Sequence, residues 1–275
     1  VLACEIEAYC AEAGIASYRC SSHGCAADIQ LRDVDFAISL GGDGTVLSTA
    51  RMLSRFGVPI FPVNLGSFGF ITEVGAEDWR EDLSQFLEGK LPVFGRLMFQ
   101  VQVLRKELVV FQESALNEAV ISGGGISKLL RLNVSLRNGS LGLYRADGMI
   151  IATPTGSTAY SLAAGGPILQ PELEAIILNP ICPFTLSHRP IVLPGWEEVC
   201  VRVDEGQRTS VILTIDGQLD FPLLEGDDIR VSAAPFKAQI LCSHKRSFYE
   251  VLKHKLNWSG GPDAGRTHNP EPGTH

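Results

Sequence analysis

With 275 residues, 45% of them hydrophobic and 20% charged, the chain can build one large domain or two ordinary ones around a substantial core. Its formal net charge of −8 argues against a general nucleic-acid or anionic-membrane binder, since both need a positive field; a local basic site for phosphates stays open. No apolar run approaches the roughly 18 residues that span a bilayer, and no charged-then-apolar leader opens the chain, so neither a membrane nor a nucleic-acid partner is expected.

The chain begins at Val1 rather than Met, as a truncated or trimmed sequence would. Seven cysteines at irregular spacing, with no secretory signal, suggest reduced thiols and a cytoplasmic setting. The cluster Cys20-Ser21-Ser22-His23-Gly24-Cys25 lacks the spacing of common zinc sites and a second ligand pair, so it is read as thiols in a connecting loop. Phe36-Ala37-Ile38-Ser39-Leu40 is a short apolar run ending abruptly in glycine, the pattern of a buried parallel strand. After the glycines, Val46, Ala50, Leu53 and Gly57 share one helical face, with Arg51 and Arg55 off it. Gly57 stops that helix, and Val58-Pro59-Ile60-Phe61-Pro62-Val63 resumes an extended run. Trp79, Leu83, Phe86 and Leu87 then recur at helical spacing between 76 and 88. The strand–helix–strand–helix order predicts an open parallel α/β layer over residues 1–96.

Beyond Arg96 the texture changes to short stretches rich in Val, Ile and Leu: 99–104, 119–122, 130–136, 149–152, 199–203, 210–215 and 228–232. Turns such as Gly123-Gly124-Gly125 and Asn138-Gly139 punctuate them. This spacing predicts an antiparallel β-sandwich-like domain over 97–237, interrupted by one helix at 157–164. A C-terminal segment, 238–258, ends in a helix carrying Phe248, Val251, Leu252 and Leu256 on one face, and is expected to return to the first domain. The Gly/Pro-rich stretch 259–275 reads as a disordered tail.

Two segments carry chemistry. Leu40-Gly41-Gly42-Asp43-Gly44-Thr45 lies where a parallel strand ends and a helix begins, the place where open α/β sheets bind ligands. Glycines let the backbone approach a phosphate, and the following helix offers free N–H groups and the positive end of its dipole. A carboxylate is out of place in a turn built only for anions. It makes sense if Asp43 handles a hydroxyl proton or a metal ion, the plain alternative being a helix cap. The second segment runs from Tyr144-Arg145-Ala146-Asp147-Gly148 into Thr153-Pro154-Thr155-Gly156-Ser157-Thr158-Ala159-Tyr160. Four hydroxyl side chains within six residues, ahead of a helix, suit a polar ligand with ribose and phosphate groups. A P-loop and a Gly-x-Gly-x-x-Gly fingerprint are both absent from the sequence, and His188-Arg189-Pro190 is not a protein-kinase catalytic loop.

These segments, with Asn64-Leu65-Gly66-Ser67-Phe68-Gly69-Phe70-Ile71-Thr72-Glu73, Asn117-Glu118, Arg189-Pro190 and Asp216-Gly217-Gln218 in the same order, resemble the NAD kinase family from about Asp35 to Lys237. The Gly-Gly-Asp-Gly-Thr string is shared with diacylglycerol and sphingosine kinases; the Ala-Asp-Gly…Ser-Thr-Ala-Tyr segment is more diagnostic. The resemblance implies transfer of a phosphoryl group from ATP (or another donor) to the adenosine 2′-hydroxyl of NAD, with Mg²⁺ arriving on the nucleotide. It makes residues 1–96 the nucleotide-binding domain, short of its first strand, and 97–237 the NAD-binding domain. A homodimer or homotetramer is implied as well.

By that resemblance Asp43 is the catalytic carboxylate, facing the 2′-hydroxyl, and Gly42, Gly44 and Thr45 make room for phosphates. Asn117 and Glu118 bind the adenosine half, Glu118 through ribose hydroxyls, while Thr155 and Thr158 hydrogen-bond adenine. Asp147 and Ala159 belong near the other end of the dinucleotide. Tyr160 packs on a base, Arg145 meets the new phosphate, and Phe70 and Gln218 complete the substrate-binding set. No residue is assigned as a dedicated metal ligand. Without the family pattern, Asn117-Glu118 would read as a solvated turn and Tyr160 as a core aromatic. Two positions depart from the family: Phe184 stands where members carry His and supplies no hydrogen bond, and His188 stands where they carry Asn. A lipid kinase sharing only the first motif, and a non-catalytic NAD-binding protein, remain the competing readings.

Overall fold

The computed structural model describes residues 1–21, 24–25, 30–66, 69–72, 74–125, 129–207, 209–243 and 247–257. The expected tail 259–275 and His23 of the cysteine cluster lie outside the described residues.

The first part alternates helix and strand. Helix α1 (Leu2–Glu12) leads to a small hairpin, β1 (Cys20–Ser21) and β2 (Gly24–Cys25), then to β3 (Ala37–Gly41), α2 (Asp43–Leu53), β4 (Ile60–Asn64), β5 (Val74–Gly75) and α3 (Trp79–Leu87). Strands β3, β4 and β5 pair in parallel. All five β4 residues are buried because both faces of the strand are covered. Ile60 packs with Val46 and Ala50 of α2, whereas Phe61 and Val63 pack with Ile6 and Cys10 of α1 and with Trp79 and Leu83 of α3. The period-two alternation of a strand thus sorts its side chains between two helical layers.

Strands then take over: β6 (Val93–Arg105), β7 (Leu108–Ala115), β8 (Glu118–Gly123), β9 (Leu130–Leu136), β10 (Gly139–Ala146) and β11 (Gly148–Ala152). After a turn come α4 (Tyr160–Ala163), β12 (Ala175–Ile181), β13 (Ile191–Pro194), β14 (Val199–Val203), β15 (Val211–Ile215), β16 (Leu219–Leu223), β17 (Asp228–Leu241) and α5 (Phe248–Leu256). Among the described residues one mixed sheet runs β10-β9-β14-β17-β4-β3, with β5 added on β4 and β6–β7 added on β17. A second sheet, wholly antiparallel, runs β13-β12-β11-β8-β15-β16. Alternate residues of the two sheets meet in one core, among them Phe99, Val101, Leu132, Val201 and Val231 against Ile121, Met149, Ile151, Leu178 and Leu213. The long strand β17 belongs to both regions: it pairs with β14 near its start and with β4 in parallel at Ile240. The C-terminal helix opens on a capping box between Ser247 and Glu250 and places Lys255 over the Phe70 ring, back against the first region.

Two expectations are corrected. Instead of one helix at 157–164 there is a 3-10 turn, Thr155–Thr158, followed by the single-turn α4. Ala159 separates them with φ −98° and ψ −129°, and a run containing Pro, Gly and two Thr has little propensity to hold a regular helix. Cys20 is disulfide-bonded rather than free. Its backbone pairs with that of Cys25 across the β1–β2 hairpin. Cys4, Cys10, Cys182 and Cys200 are free thiols. No helix among the described residues is long and apolar enough to cross a membrane.

Candidate functional site

Asp43 is the first residue of α2, at the carboxyl end of β3. It does not cap its own helix: the N-terminus of α2 has no side-chain cap, and the carboxylate turns instead to the loop 69–72. Oδ2 accepts the Phe70 amide at 2.8 Å. Oδ1 accepts the Ile71 amide, the Thr72 amide and the Thr72 hydroxyl, each at 3.1 Å. The loop reaches this close because position 69 is glycine; a Cβ there would lie 1.8 Å from Asp43 Oδ1. Gly42, Gly44 and Thr45 are exposed at the mouth of the same helix terminus, where backbone N–H groups and the dipole favour an anion.

A second group of polar residues is fastened to the first through α2. Asp216 and Gly217, both with left-handed backbone, form the β15–β16 turn. The Asp216 carboxylate accepts the amides of Leu116, Asn117 and Glu118 at 3.1, 2.8 and 3.1 Å, which bends the chain between β7 and β8. Arg51 of α2 donates to Asp216 Oδ2 at 3.0 Å and also to Gln218 Oε1. Gln218 Nε2 in turn donates to the Gly44 carbonyl at 2.7 Å. The Gln218 amide therefore ties α2, at Gly44 and Arg51, to the turn whose Asp216 holds the Asn117-Glu118 segment.

Asn117 and Glu118 are buried, not a solvated turn, at 8% and 5% exposure. Asn117 Oδ1 and Glu118 Oε2 are buried without a hydrogen-bond partner among the described residues, and so is Thr155 Oγ1. Burial, and secondarily the charge of Asp216, pushes the Glu118 carboxyl up to about 8, so it holds its proton near neutrality. Burial likewise raises Asp216. The Thr153–Thr158 turn packs directly on Asn117: Thr153 N donates to Asn117 O at 2.8 Å, and a Cβ on Gly156 would stand 2.2 Å from that same carbonyl.

The hydroxyls of this turn divide. Thr153 donates to Leu116 O, Ser157 to Leu169 O and Thr158 to Thr155 O, so three of the four serve the backbone. Thr155 alone is left unpartnered. Ala159 is half-buried, and Tyr160 is 46% exposed, hence not a core aromatic.

Arg145 and Asp147 are exposed at the other end of β11. Ala152 of that strand pairs with Glu118, and Gly148 pairs with Ser122, so the five residues of β11 put about 13 Å between the two ends. One chain thus brings Asp43, Gly44, Asn117, Glu118, Thr155 and Gln218 together and sets Arg145 and Asp147 apart from them. Phe184 is exposed and its amide donates to Arg145 O at 2.8 Å; His188 stacks on Tyr144 with ring centroids 4.2 Å apart. The motifs of the sequence did not single out Arg51, Asn64 or Thr72 as acting residues. Arg51 lay off the apolar face of its helix with nothing local to name its partner.

The described residues contain no group of three or more His, Cys, Asp or Glu able to hold a metal ion.

The chain matches the ATP-NAD kinase N-terminal domain over residues 16–91 and the ATP-NAD kinase C-terminal domain over residues 116–243. It is 44% identical over 257 residues to an NAD kinase of Treponema denticola, covering 93% of this chain and 90% of that one. The chain belongs to the NAD kinase family. An NAD kinase of Desulforamulus reducens is 46% identical over 224 residues, with 81% and 77% coverage. Among solved structures, an NAD kinase from Archaeoglobus fulgidus in complex with ATP superposes with a TM-score of 0.72 at 27% identity, covering 92% of this chain and 93% of that one. Yeast NADH kinase complexed with NADH gives a TM-score of 0.75 at 27% identity, with 83% and 67% coverage. The family's two halves meet in this chain where α2 is tied to the β15–β16 turn.

Proposed function

We propose that the protein phosphorylates the adenosine 2′-hydroxyl of NAD with ATP, giving NADP and ADP. The observation that carries the reading is the juxtaposition of the Asp43 carboxylate and an anion-favouring helix terminus with three buried polar atoms that have no partner among the described residues, Asn117 Oδ1, Glu118 Oε2 and Thr155 Oγ1. A buried polar atom without a partner calls for an explanation, and for three of them gathered around one turn a ligand that supplies the missing bonds is that explanation. Asn117, protonated Glu118 and Thr155 hold the adenosine half, with Thr158 beside them and Tyr160 stacking on a base. Gly42, Gly44 and Thr45 receive phosphates, and Gln218 holds their turn in place.

Phosphoryl transfer passes through a loose transition state, so the chain mainly positions the two substrates and compensates charge. The bond from the 2′-oxygen to the γ-phosphorus forms as the bond to the β–γ bridging oxygen breaks. ADP departs with that oxygen, and the hydroxyl proton passes to Asp43. Bound on ATP, Mg²⁺ would supply charge neutralisation on the phosphates, with no side-chain cluster among the described residues to hold it. Phe70, whose amide holds Asp43, belongs to the same substrate-binding set. Asp147 and Ala159 are assigned to the nicotinamide half. Because Arg145 lies with Asp147 rather than with Asp43, its contact to the new phosphate calls for a second copy of the chain across the site. The reading therefore includes a homodimer or homotetramer, and a cytoplasmic setting is proposed with it.

The deciding experiment is NADP formation from NAD and Mg-ATP, read with an NADP-specific dehydrogenase, for wild type and Asp43→Asn. Turnover is expected to fall by at least about 10³-fold in Asp43→Asn while calorimetric NAD binding survives. Equal loss of both would remove Asp43 from the chemistry. Binding without NADP formation by the wild type would make the chain a dinucleotide-binding protein.

A further inference from the structure

We propose that Thr72 is a positioning residue that fixes the reacting carboxylate of Asp43, through a hydrogen-bond chain beginning at Asn64. The proposal rests on the reading of Asp43 as the group that takes the acceptor's proton. A threonine hydroxyl has one proton and two lone pairs. Both acceptor places of Thr72 Oγ1 are filled from the interior, by Asn64 Nδ2 at 2.9 Å and by the Gly69 amide at 3.1 Å. The single proton is left to point at Asp43 Oδ1, 3.1 Å away. Thr72 and Asn64 are 1% and 3% exposed, so water does not compete for these bonds. Asn64 is itself oriented, because its Oδ1 accepts the Gly66 amide at 2.7 Å.

The consequence is an asymmetric carboxylate. Oδ1 takes three donors, the amides of Ile71 and Thr72 and the Thr72 hydroxyl, which exhausts its lone pairs. Among the described residues Oδ2 takes the Phe70 amide alone and keeps a lone pair. The geometry thus picks out Oδ2 as the oxygen that receives the substrate hydroxyl's proton, and Thr72 as the group that keeps Oδ1 turned inward. Backbone amides alone would hold a carboxylate in this loop; the hydroxyl, whose direction Asn64 dictates, settles which oxygen faces out.

The test is steady-state kinetics of the full chain on NAD and Mg-ATP, with NAD affinity from calorimetry and thermal midpoints measured in parallel. The variants are Thr72→Val, Thr72→Ser, Asp43→Asn and the double variant Asp43→Asn/Thr72→Val. Thr72→Val is expected to lower kcat by about 10- to 100-fold, the scale of a misplaced reacting group, with KM and Kd for NAD within about twofold of wild type. Thr72→Ser recovers most of the turnover. In the Asp43→Asn background Thr72→Val costs nothing further, since its effect passes through the carboxylate. An unchanged kcat in Thr72→Val overturns the proposal. So does parallel loss of turnover, NAD affinity and thermal midpoint, or a full additional loss in the double variant, because each is the mark of a merely structural residue. Should Thr72→Val fail to fold, Asn64→Asp decides. An acceptor in place of Nδ2 draws the hydroxyl proton away from Asp43, and kcat falls with NAD binding retained; an unchanged kcat refutes the role. If Asp43→Asn itself keeps its turnover, the reading of Asp43 fails and takes this one with it. That outcome is distinct from a silent Thr72→Val beside an inactive Asp43→Asn.

Discussion

Glu118 keeps its proton near neutrality because it is buried next to Asp216, with an ordinary value of 4.5 raised to about 8. The folded state retains a proton that the unfolded state releases. Its stabilising effect is therefore complete below about pH 4.5 and is lost as pH rises toward 8. Glu118→Gln copies the shape of the protonated acid without the titration. Its thermal midpoint is expected to exceed that of wild type at pH 8 and to converge with it near pH 5, as a pH series of melts would show. The same variant should bind NAD at pH 6.5 within about threefold of wild type. Glu118→Ala, which leaves ligand hydroxyls unpaired, should bind about tenfold or more weakly by calorimetry. Matching losses in both would mean that the ligand needs an ionised carboxylate. The motif marked Asn117-Glu118 at this scale, yet the protonation state came only with burial, which no local pattern encodes.

At the scale of elements, helix α2 does two jobs: it opens on Asp43 and, two turns later, presents Arg51 to Asp216 and Gln218. Its apolar face, Val46, Ala50 and Leu53, was legible from spacing because burial repeats every 3.6 residues. Its polar link was not, because Asp216 lies 165 residues away in sequence. The Arg51 side chain is 11% exposed and that of Asp216 fully buried, so removing the guanidinium strands a buried carboxylate. Arg51→Ala is expected to destabilise the fold by about 3–5 kcal/mol in urea melts. Arg51→Lys should recover only part, since an ammonium cannot reproduce the two-pronged contact. A loss below about 1 kcal/mol in Arg51→Ala would show that the backbone amides around Asp216 suffice. The 3-10 turn at Thr155–Thr158 is the contrasting case: the hydroxyl-rich string was visible, but three of its four hydroxyls turned out to bond the backbone.

Across the whole molecule, β6 and β17 knit the α/β layer to the sandwich. They pair along most of their length, and β17 also meets β4 at Ile240 and β14 over residues 199–202. Two long strands common to both regions should make them unfold together. Calorimetry is expected to show one endotherm whose van't Hoff and calorimetric enthalpies agree; two resolved transitions would mean that the regions hold themselves separately. The sequence by itself determined the strand–helix alternation, most of the sandwich strands and the family, because periodic burial and fixed-spacing turn residues are local signals. It also placed Asp43 at the end of a strand, since glycines there mark the turn. Only the tertiary structure decided which oxygen of Asp43 is held by Thr72, that Glu118 is protonated, and that Arg145 and Asp147 stand a strand's length from the rest. Those outcomes depend on which distant segments pack together and exclude water, and a pairing across a hundred residues leaves no mark on either partner's neighbours in the chain.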